Sequence, residues 1–344
     1  LYPARYLHAV REQEAQLVLL VRAVEASDPE GRLLPLEDRR KATEAAKVEV
    51  SGGAEGDVLA ARAEHLLPAL EARIPGVQGL LRATRFGSGL APLVGIGAFA
   101  LGLSSNVLGP HREIGVLQVP LLALIVWNLC VYAAFLLWGL FARPPSGGPK
   151  LHAPLPRYGH PDHGPWLASR LVDGVVSRFA SRARKRDAQG AILVSTAVTR
   201  YAADWRRASA PLLGSRLRLW LHLGSLALVL GVVVGMYVRG IGFRYEATWE
   251  STFLDASDLH RLLRFVLGPA SALLHIPVPA LEGRYASSAG PAAPWIHLYA
   301  GTALLYVGVP RLLFAAFETR RARRLARTVP AALGFADTRR AGLA

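Results

Sequence analysis

The stretch of sequence that decides the fold is residues 217–238, which read LRLWLHLGSLALVLGVVVGMYV. Beyond Arg218 it carries no charged side chain. The hydrocarbon core of a bilayer is about 30 Å thick, and a helix crosses it with roughly 20 apolar residues. The stretch therefore predicts a membrane-spanning helix, which we place at 217–239. The alternative is a buried helix in a large soluble protein.

Three more stretches have the length and composition of spans. They are LAPLVGIGAFALGLSSNVLG (90–109), VLQVPLLALIVWNLCVYAAFLLWGLF (116–141) and PWIHLYAGTALLYVGVPRLLFAAF (294–317). The whole chain of 344 residues is 52% hydrophobic and 19% charged, whereas a typical soluble domain carries about 25% charged residues. The sequence therefore predicts an all-α fold, with four helices spanning a membrane.

The charges between the spans predict their orientation. Residues 142–216 contain thirteen Lys and Arg against four Asp, whereas residues 240–293 contain four Arg against five acidic residues. Basic loops stay on the cytoplasmic side of a membrane. The predicted order is a cytoplasmic helical domain (1–86), a transmembrane hairpin (87–141), a basic cytoplasmic helical loop (142–216), the third span (217–239), a periplasmic interfacial loop (240–293), the fourth span (294–317) and a basic cytoplasmic tail (318–344). Both termini are thus expected in the cytoplasm. Arginine far outnumbers lysine, which suggests a GC-rich bacterial genome, so that the membrane would be a bacterial inner membrane.

The predicted cytoplasmic segments have helical patterns and a basic surface. Residues 6–27, 36–50 and 55–74 predict three helices that either dock a cytosolic partner or pack on the 142–216 loop. A further helix at 190–207 is expected to lead into the third span after a break at Pro211. Two basic groups are candidate contacts for anionic lipids or a partner, or else solvated helix faces: Arg182, Arg184, Lys185 and Arg186, and Arg320, Arg321, Arg323 and Arg324.

Few polar residues lie inside the predicted spans. Asn128, His222 and Arg311 are candidates for function because polar groups at depth are expensive, although Arg311 can also snorkel to the headgroups. None of the spans has a deep Asp, Glu or Lys, which disfavours a cation-coupled transporter. Gly231 and Gly235 form a small-xxx-small pattern that permits close helix contact, either within the chain or in a dimer.

The loop 240–293 contains YEATWESTFL (245–254). If this stretch is helical, the spacing of four puts Tyr245, Trp249 and Phe253 on one face, at the membrane interface. An amphipathic helix follows, capped by Asp255 or Ser257 and interrupted at Gly268-Pro269. Glu250 can pair with Arg244, Arg261 or Arg264, or it can cap the start of a helix. Ser251, Asp258 and His260 have the residue types of a catalytic triad, but no nucleophile-elbow glycines flank Ser251 and Asp258 and His260 lie on different helix faces, which disfavours that interpretation.

The TWESTFL run, the GPAS segment and PWIHLYAG together resemble a family of bacterial multi-pass membrane proteins of unknown function. The resemblance covers most of the chain, and the WESTFL stretch is its most specific part. It implies a neighbouring predicted cytoplasmic GTPase, because members of that family tend to be encoded beside one. It implies no catalytic residues, because none is established for the family.

These observations lead to a non-enzymatic membrane anchor or receptor that recruits a cytosolic partner, with a GTPase as the candidate. The alternative is an oligomeric channel or a lipid-handling protein. We expect no metal site and no cofactor: the chain has one cysteine, His152, His160 and His163 fit no metal-binding spacing, and there is no GxxxxGK[ST] phosphate loop. We expect no nucleic-acid partner either, because the basic residues follow the membrane rule and accompany no nucleic-acid module.

Overall fold

The computed structural model describes residues 9–53, 55–74, 76–84, 90–105, 113–117, 128, 130, 132–133, 188–281 and 287–330. This part of the chain is mostly helical. Its helices are α1 (Glu12–Ser27), α2 (Leu36–Glu49), α3 (Glu55–Arg73), α4 (Val77–Thr84), α5 (Leu90–Ser104), α6 (Ala188–Gly242), α7 (Ala256–Leu274), α8 (Ala292–Ala303) and α9 (Val309–Arg327). Its strands are β1 (Ala9–Val10), β2 (Glu113–Gly115), β3 (Glu246–Trp249), β4 (Ser287–Pro291) and β5 (Val329–Pro330), none of which the sequence analysis foresaw.

The chain divides into two compact units. Unit 1 comprises Leu1–Ser88, Pro149–Leu217 and Glu318–Ala344, and unit 2 comprises Gly89–Gly148 and Arg218–Phe317. Helices α6 and α9 each contribute residues to both units. The ranges of unit 1 lie within a few residues of the three segments that the charge pattern places in the cytoplasm.

Unit 1 has the core of an ordinary soluble helical domain. Apolar residues of α1, α3 and α4 pack with the first part of α6, where Trp205 and Tyr201 are fully buried. Both of these side chains make hydrogen bonds: Trp205 Nε1 donates to the Thr84 carbonyl at 3.1 Å, and the Tyr201 and Thr84 hydroxyls are 2.8 Å apart. Strands β1 and β5 pair antiparallel in this unit. The N-terminal helices thus pack on the segment that precedes the third predicted span.

Asp28 organises the turn between α1 and α2. Its carboxylate is buried and accepts hydrogen bonds from the amides of Arg32 (2.8 Å), Leu33 (2.6 Å) and Leu34 (3.1 Å). Burial raises the pKa of Asp28, but these amides and the charge of Arg39 outweigh burial, so that the pKa lies below its usual value. A carboxylate that accepts several amide hydrogen bonds stabilises the folded state in its ionised form.

We therefore expect unit 1 to lose stability in acid through Asp28. Because the folded pKa is depressed, this contribution is complete above the unfolded pKa of about 3.9 and is lost as the pH falls through the lower folded value. Asp28→Asn is expected to reduce the pH dependence of unfolding below about pH 5, measured by urea titration of the full chain. The control is Glu37→Gln, because the exposed carboxylate of Glu37 pairs with Lys41 alone among the described residues. If the free energy of unfolding depends on pH equally in the wild type and in Asp28→Asn, the stabilising role of the Asp28 carboxylate is contradicted.

Unit 2 contains a three-stranded sheet packed against two helices. Strand β3 pairs parallel with β2 and antiparallel with β4. Trp249 of β3 and Trp295 of α8 are fully buried in the core of this unit, together with Leu259, Leu263 and Leu267 of α7. The Tyr299 hydroxyl of α8 donates to the Val116 carbonyl, next to β2. The segments that flank the predicted spans are thus tied together by a sheet.

Two glycines bring α5 and α6 into backbone contact. A Cβ atom at Gly102 would overlap the carbonyl oxygen of Leu228, and a Cβ atom at Gly231 would overlap that of Phe99. Small residues permit such close approach of membrane helices. The small-xxx-small pattern is therefore used within the chain, so that it gives no separate support to dimerisation.

Two predicted helix breaks are wrong. Helix α6 continues through Pro211, and α7 continues through Pro269. A proline within a helix removes one hydrogen bond and costs about 3 kcal/mol. Buried residues on either side of Pro211, such as Trp205 and Leu212, keep α6 continuous.

Of the described helices, two are long and apolar enough to cross a membrane by length and composition: Ile192–Gly242 and Ala292–Arg327. They include the predicted third and fourth spans. The first predicted span appears as a shorter apolar helix, Pro92–Ser104. The second, 116–141, lies outside the described residues except for its first two residues and four helical positions, and residues 142–187 lie outside them altogether.

Candidate functional site

Unit 2 exposes its large apolar side chains to a degree that unit 1 does not. In the described part of unit 1, the exposed large hydrophobic residues are Leu36, Val48 and Ile192. In unit 2 they run along four stretches, 93–103, 221–243, 253–274 and 309–317. In the most apolar windows of the two long helices, 44% and 33% of residues are buried, unlike the core helix of a soluble protein. An apolar surface of this extent marks an interaction site for a membrane or another protein.

Helix α7 is apolar on two sides. One side is buried in the core of unit 2 through Leu259, Leu263 and Leu267. The other side exposes Leu262, Phe265 and Leu273, with Phe265 82% exposed. Asp255 caps the helix by accepting a hydrogen bond from the Asp258 amide at 2.8 Å, as one of the two predicted caps required. The exposed side is suited to an apolar medium.

The stretch YEATWESTFL is not helical, so the prediction of one aromatic face is wrong. Its central residues form β3, in which successive side chains point to opposite faces. Tyr245 is half-buried, Trp249 is fully buried and Phe253 is 94% exposed. Trp249 is therefore a core residue of unit 2, and only Phe253 of the three is available for a membrane surface.

The charged residues of this region make local contacts. Arg261 pairs with Asp258 one helical turn away, and not with Glu250. Arg264 and Glu250 are exposed, and neither has a partner among the residues that the structure describes. The predicted ion pair between Glu250 and one of the arginines is thus absent from the described contacts.

The three predicted intramembrane polar residues come together in one cluster. Arg311 Nη2 donates to Asn128 Oδ1 at 2.9 Å, and Arg311 Nη1 lies 3.3 Å from His222 Nδ1. The Tyr132 ring lies 5.9 Å from the guanidinium carbon, and the His222 ring stacks on Phe314 at 5.3 Å. Arg311 is half-buried in this polar cluster.

A π-helical segment, Leu304–Gly308, precedes Arg311. A π-turn inserts one residue into an α-helix and occurs frequently at functional sites. Because each residue turns an α-helix by about 100°, the insertion rotates the side chains that follow. It lies just before Pro310, which has no N–H to donate. We infer that the segment accommodates Pro310 and helps to aim Arg311 at Asn128 and His222.

The basic end of α9 follows its apolar stretch directly. Arg320, Arg321, Arg323 and Arg324 are all exposed, three or more residues beyond the exposed Phe317. None of the four has a partner among the described residues. An apolar helix with a cluster of cations at its end is typical of a cytoplasmic membrane boundary. The other predicted basic cluster, Arg182, Arg184, Lys185 and Arg186, lies outside the described residues.

Two of the three residues considered for catalysis, Ser251 and Asp258, make other contacts. Ser251 Oγ accepts hydrogen bonds from the amides of Phe253 (3.3 Å) and Leu254 (3.0 Å), and Asp258 pairs with Arg261. Among the described residues, no group of three or more His, Cys, Asp and Glu side chains could hold a metal ion.

An open cavity of about 520 Å³ lies beside β3 and β4. Its lining includes Phe243, Arg244, Glu246, Pro291 and Ile296. The mixture of charged and apolar groups points to no particular ligand.

No protein-family model, no curated protein and no solved structure matches this chain.

Proposed function

We propose that the chain is a multi-pass anchor in a bacterial inner membrane that recruits a cytosolic partner to its helical unit 1. The observation that carries the proposal is the contrast between the two units. Unit 2 exposes apolar side chains along four stretches, whereas unit 1 buries a compact core and exposes charged helix faces.

Four spans and cytoplasmic termini complete the proposal. The exposed arginines at the end of α9 support the cytoplasmic placement of that end. The basic composition of residues 142–216 supports the cytoplasmic placement of that loop in the same way. The loop 240–293, with the exposed side of α7, then lies at the opposite surface, where Phe253 and Phe265 enter the interface.

We infer the kind of partner from two observations: the sequence has no nucleotide-binding motif of its own, and it resembles the family described above. The chain contains no GxxxxGK[ST] phosphate loop, so nucleotide chemistry would be supplied by a partner. The TWESTFL family, which this chain resembles, tends to be encoded beside a predicted cytoplasmic GTPase. A GTP-binding protein is therefore the partner that we expect at unit 1.

Site-specific cross-linking tests this proposal. A photo-reactive group is attached to cysteines introduced at Glu44, Glu64 and Arg82, which are exposed on α2, α3 and α4, in a Cys130→Ser background. The matched control is a cysteine at the exposed Ser257 of the predicted outer loop. We expect a cytosolic GTP-binding protein to be captured from unit 1 positions and not from Ser257. Capture of no cytosolic protein from unit 1, or equal capture from both regions, would refute the anchor.

The second candidate is a lipid-handling protein. It is favoured by the polar cluster around Arg311, which lies among exposed apolar residues of unit 2.

A further inference from the structure

We propose that the cluster of Arg311, His222 and Asn128 binds the phosphate group of an anionic phospholipid. This inference goes beyond partner recruitment, and it rests on the membrane placement of unit 2 alone. All of the residues that form the cluster belong to unit 2.

The cluster holds a cation without a compensating anion. No carboxylate of the described residues pairs with Arg311. Its hydrogen-bond acceptors among the described residues are a carboxamide, an imidazole and the Tyr132 hydroxyl. Since the guanidinium can only donate, His222 Nδ1 accepts in this contact. The cluster thus places the charge of Arg311 in the most apolar unit of the chain.

The guanidinium also has more donors than the cluster has acceptors. Arginine carries five N–H groups, of which one reaches Asn128, one reaches His222 and one reaches the Tyr132 hydroxyl. The Nε atom is buried and has no hydrogen-bond partner among the described residues. One further N–H group belongs to a side chain that keeps part of its surface exposed. Unpaired N–H groups of a partly buried cation favour an anionic acceptor, and phosphate oxygens match the guanidinium fork.

The surroundings select a lipid over free phosphate. Leu221 precedes His222 and is 59% exposed, Leu312 follows Arg311 and is 55% exposed, and Phe314, stacked on His222, is 44% exposed. Such side chains would contact acyl chains while Arg311 contacts the phosphate. Free phosphate would gain nothing from them.

Binding of three soluble probes to the purified full chain in neutral detergent tests the proposal. The probes are dihexanoyl phosphatidylglycerol, inorganic phosphate and dihexanoylglycerol, and the readout is calorimetric affinity. We expect the chain to bind the phosphatidylglycerol more tightly than the other two. Arg311→Gln is expected to weaken this binding at least tenfold. The control Arg40→Gln removes an exposed arginine of unit 1 and is expected to leave it unchanged.

Two further variants keep the test decisive if Arg311→Gln does not fold. Arg311→Lys keeps the charge but loses the fork, and His222→Phe removes one acceptor that holds the guanidinium in place. Each is expected to weaken phosphatidylglycerol binding several-fold. Wild-type affinity in both variants, or in Arg311→Gln, would overturn the site. Equal affinity for inorganic phosphate and phosphatidylglycerol would overturn the lipid assignment. These outcomes are independent of cross-linking from Glu44, so the two proposals fail separately.

Discussion

Replacing Gly102 by leucine is expected to lower the melting temperature of the detergent-solubilised protein by roughly 6–12 °C. The backbone of α5 lies so close to α6 at this point that any Cβ atom would overlap the Leu228 carbonyl, and the nearest atoms belong to the backbone. Overpacking costs typically 1–3 kcal/mol, and a clash with rigid backbone belongs at or above the upper end. For a unit of this size, 1 kcal/mol shifts the melting temperature by about 2–4 °C.

The control for this prediction is Gly97→Leu on the same helix. An added Cβ atom at Gly97 meets nothing within 4 Å. Leucine also has a higher helix propensity than glycine. We therefore expect the Gly97 variant to melt at or slightly above the wild-type temperature. If both variants lose the same stability, the effect comes from helix composition, and the close contact between α5 and α6 is wrong.

Replacing Arg62 by methionine is expected to destabilise unit 1 by about 3–5 kcal/mol. Arg62 and Glu25 form a bidentate ion pair whose side chains are 9% and 17% exposed. Arg62 Nε also donates to Thr43 Oγ1 at 2.9 Å, so one side chain ties α1, α2 and α3 together. Without Arg62, Arg39, 3.9 Å away, is the one cation left beside the Glu25 carboxylate among the described residues. Urea titration of the full chain, followed by tryptophan fluorescence, measures the loss.

Two controls separate the buried charge from lost packing. Lys41→Met breaks a fully exposed pair with Glu37, and such pairs contribute little to stability. The double variant Arg62→Met with Glu25→Leu removes both charges, and such replacements are often neutral. We expect the double variant to recover most of the stability that Arg62→Met loses. A single variant no worse than Lys41→Met would show that the pair contributes little.

The local signals in the sequence predicted the helices of unit 1 well. Asp28-Pro29 ends α1, and Ser51-Gly52-Gly53 follows α2, because these residues favour turns over helices. The same rules failed at Pro211 and Pro269, where buried neighbours on both sides keep the helix continuous. A proline rule considers one residue, whereas the continuity of a helix depends on the packing of two turns on either side.

The candidate site was predictable in its members and not in its geometry. Asn128, His222 and Arg311 could be named because each is a polar residue in an apolar run. The three residues lie on separate segments of the chain, and a π-helical segment precedes Arg311. No sequence pattern predicts that segment or the contact between the three residues. The aromatic spacing of Tyr245, Trp249 and Phe253 misled the prediction, because a spacing of four indicates a shared face only in a helix. The pairing of β3 with β2 and β4 decides that segment instead.

The central claim is that the exposed apolar surface of unit 2 lies in hydrocarbon. Nitroxide labels at Leu230→Cys and Val48→Cys, in a Cys130→Ser background, test it after reconstitution into lipid vesicles. Both positions are exposed aliphatic residues, one in unit 2 and one in unit 1. We predict that the Leu230 label collides with oxygen and is shielded from a water-soluble nickel chelate, while the Val48 label is open to the chelate. Equal access of the chelate to both labels would contradict the account.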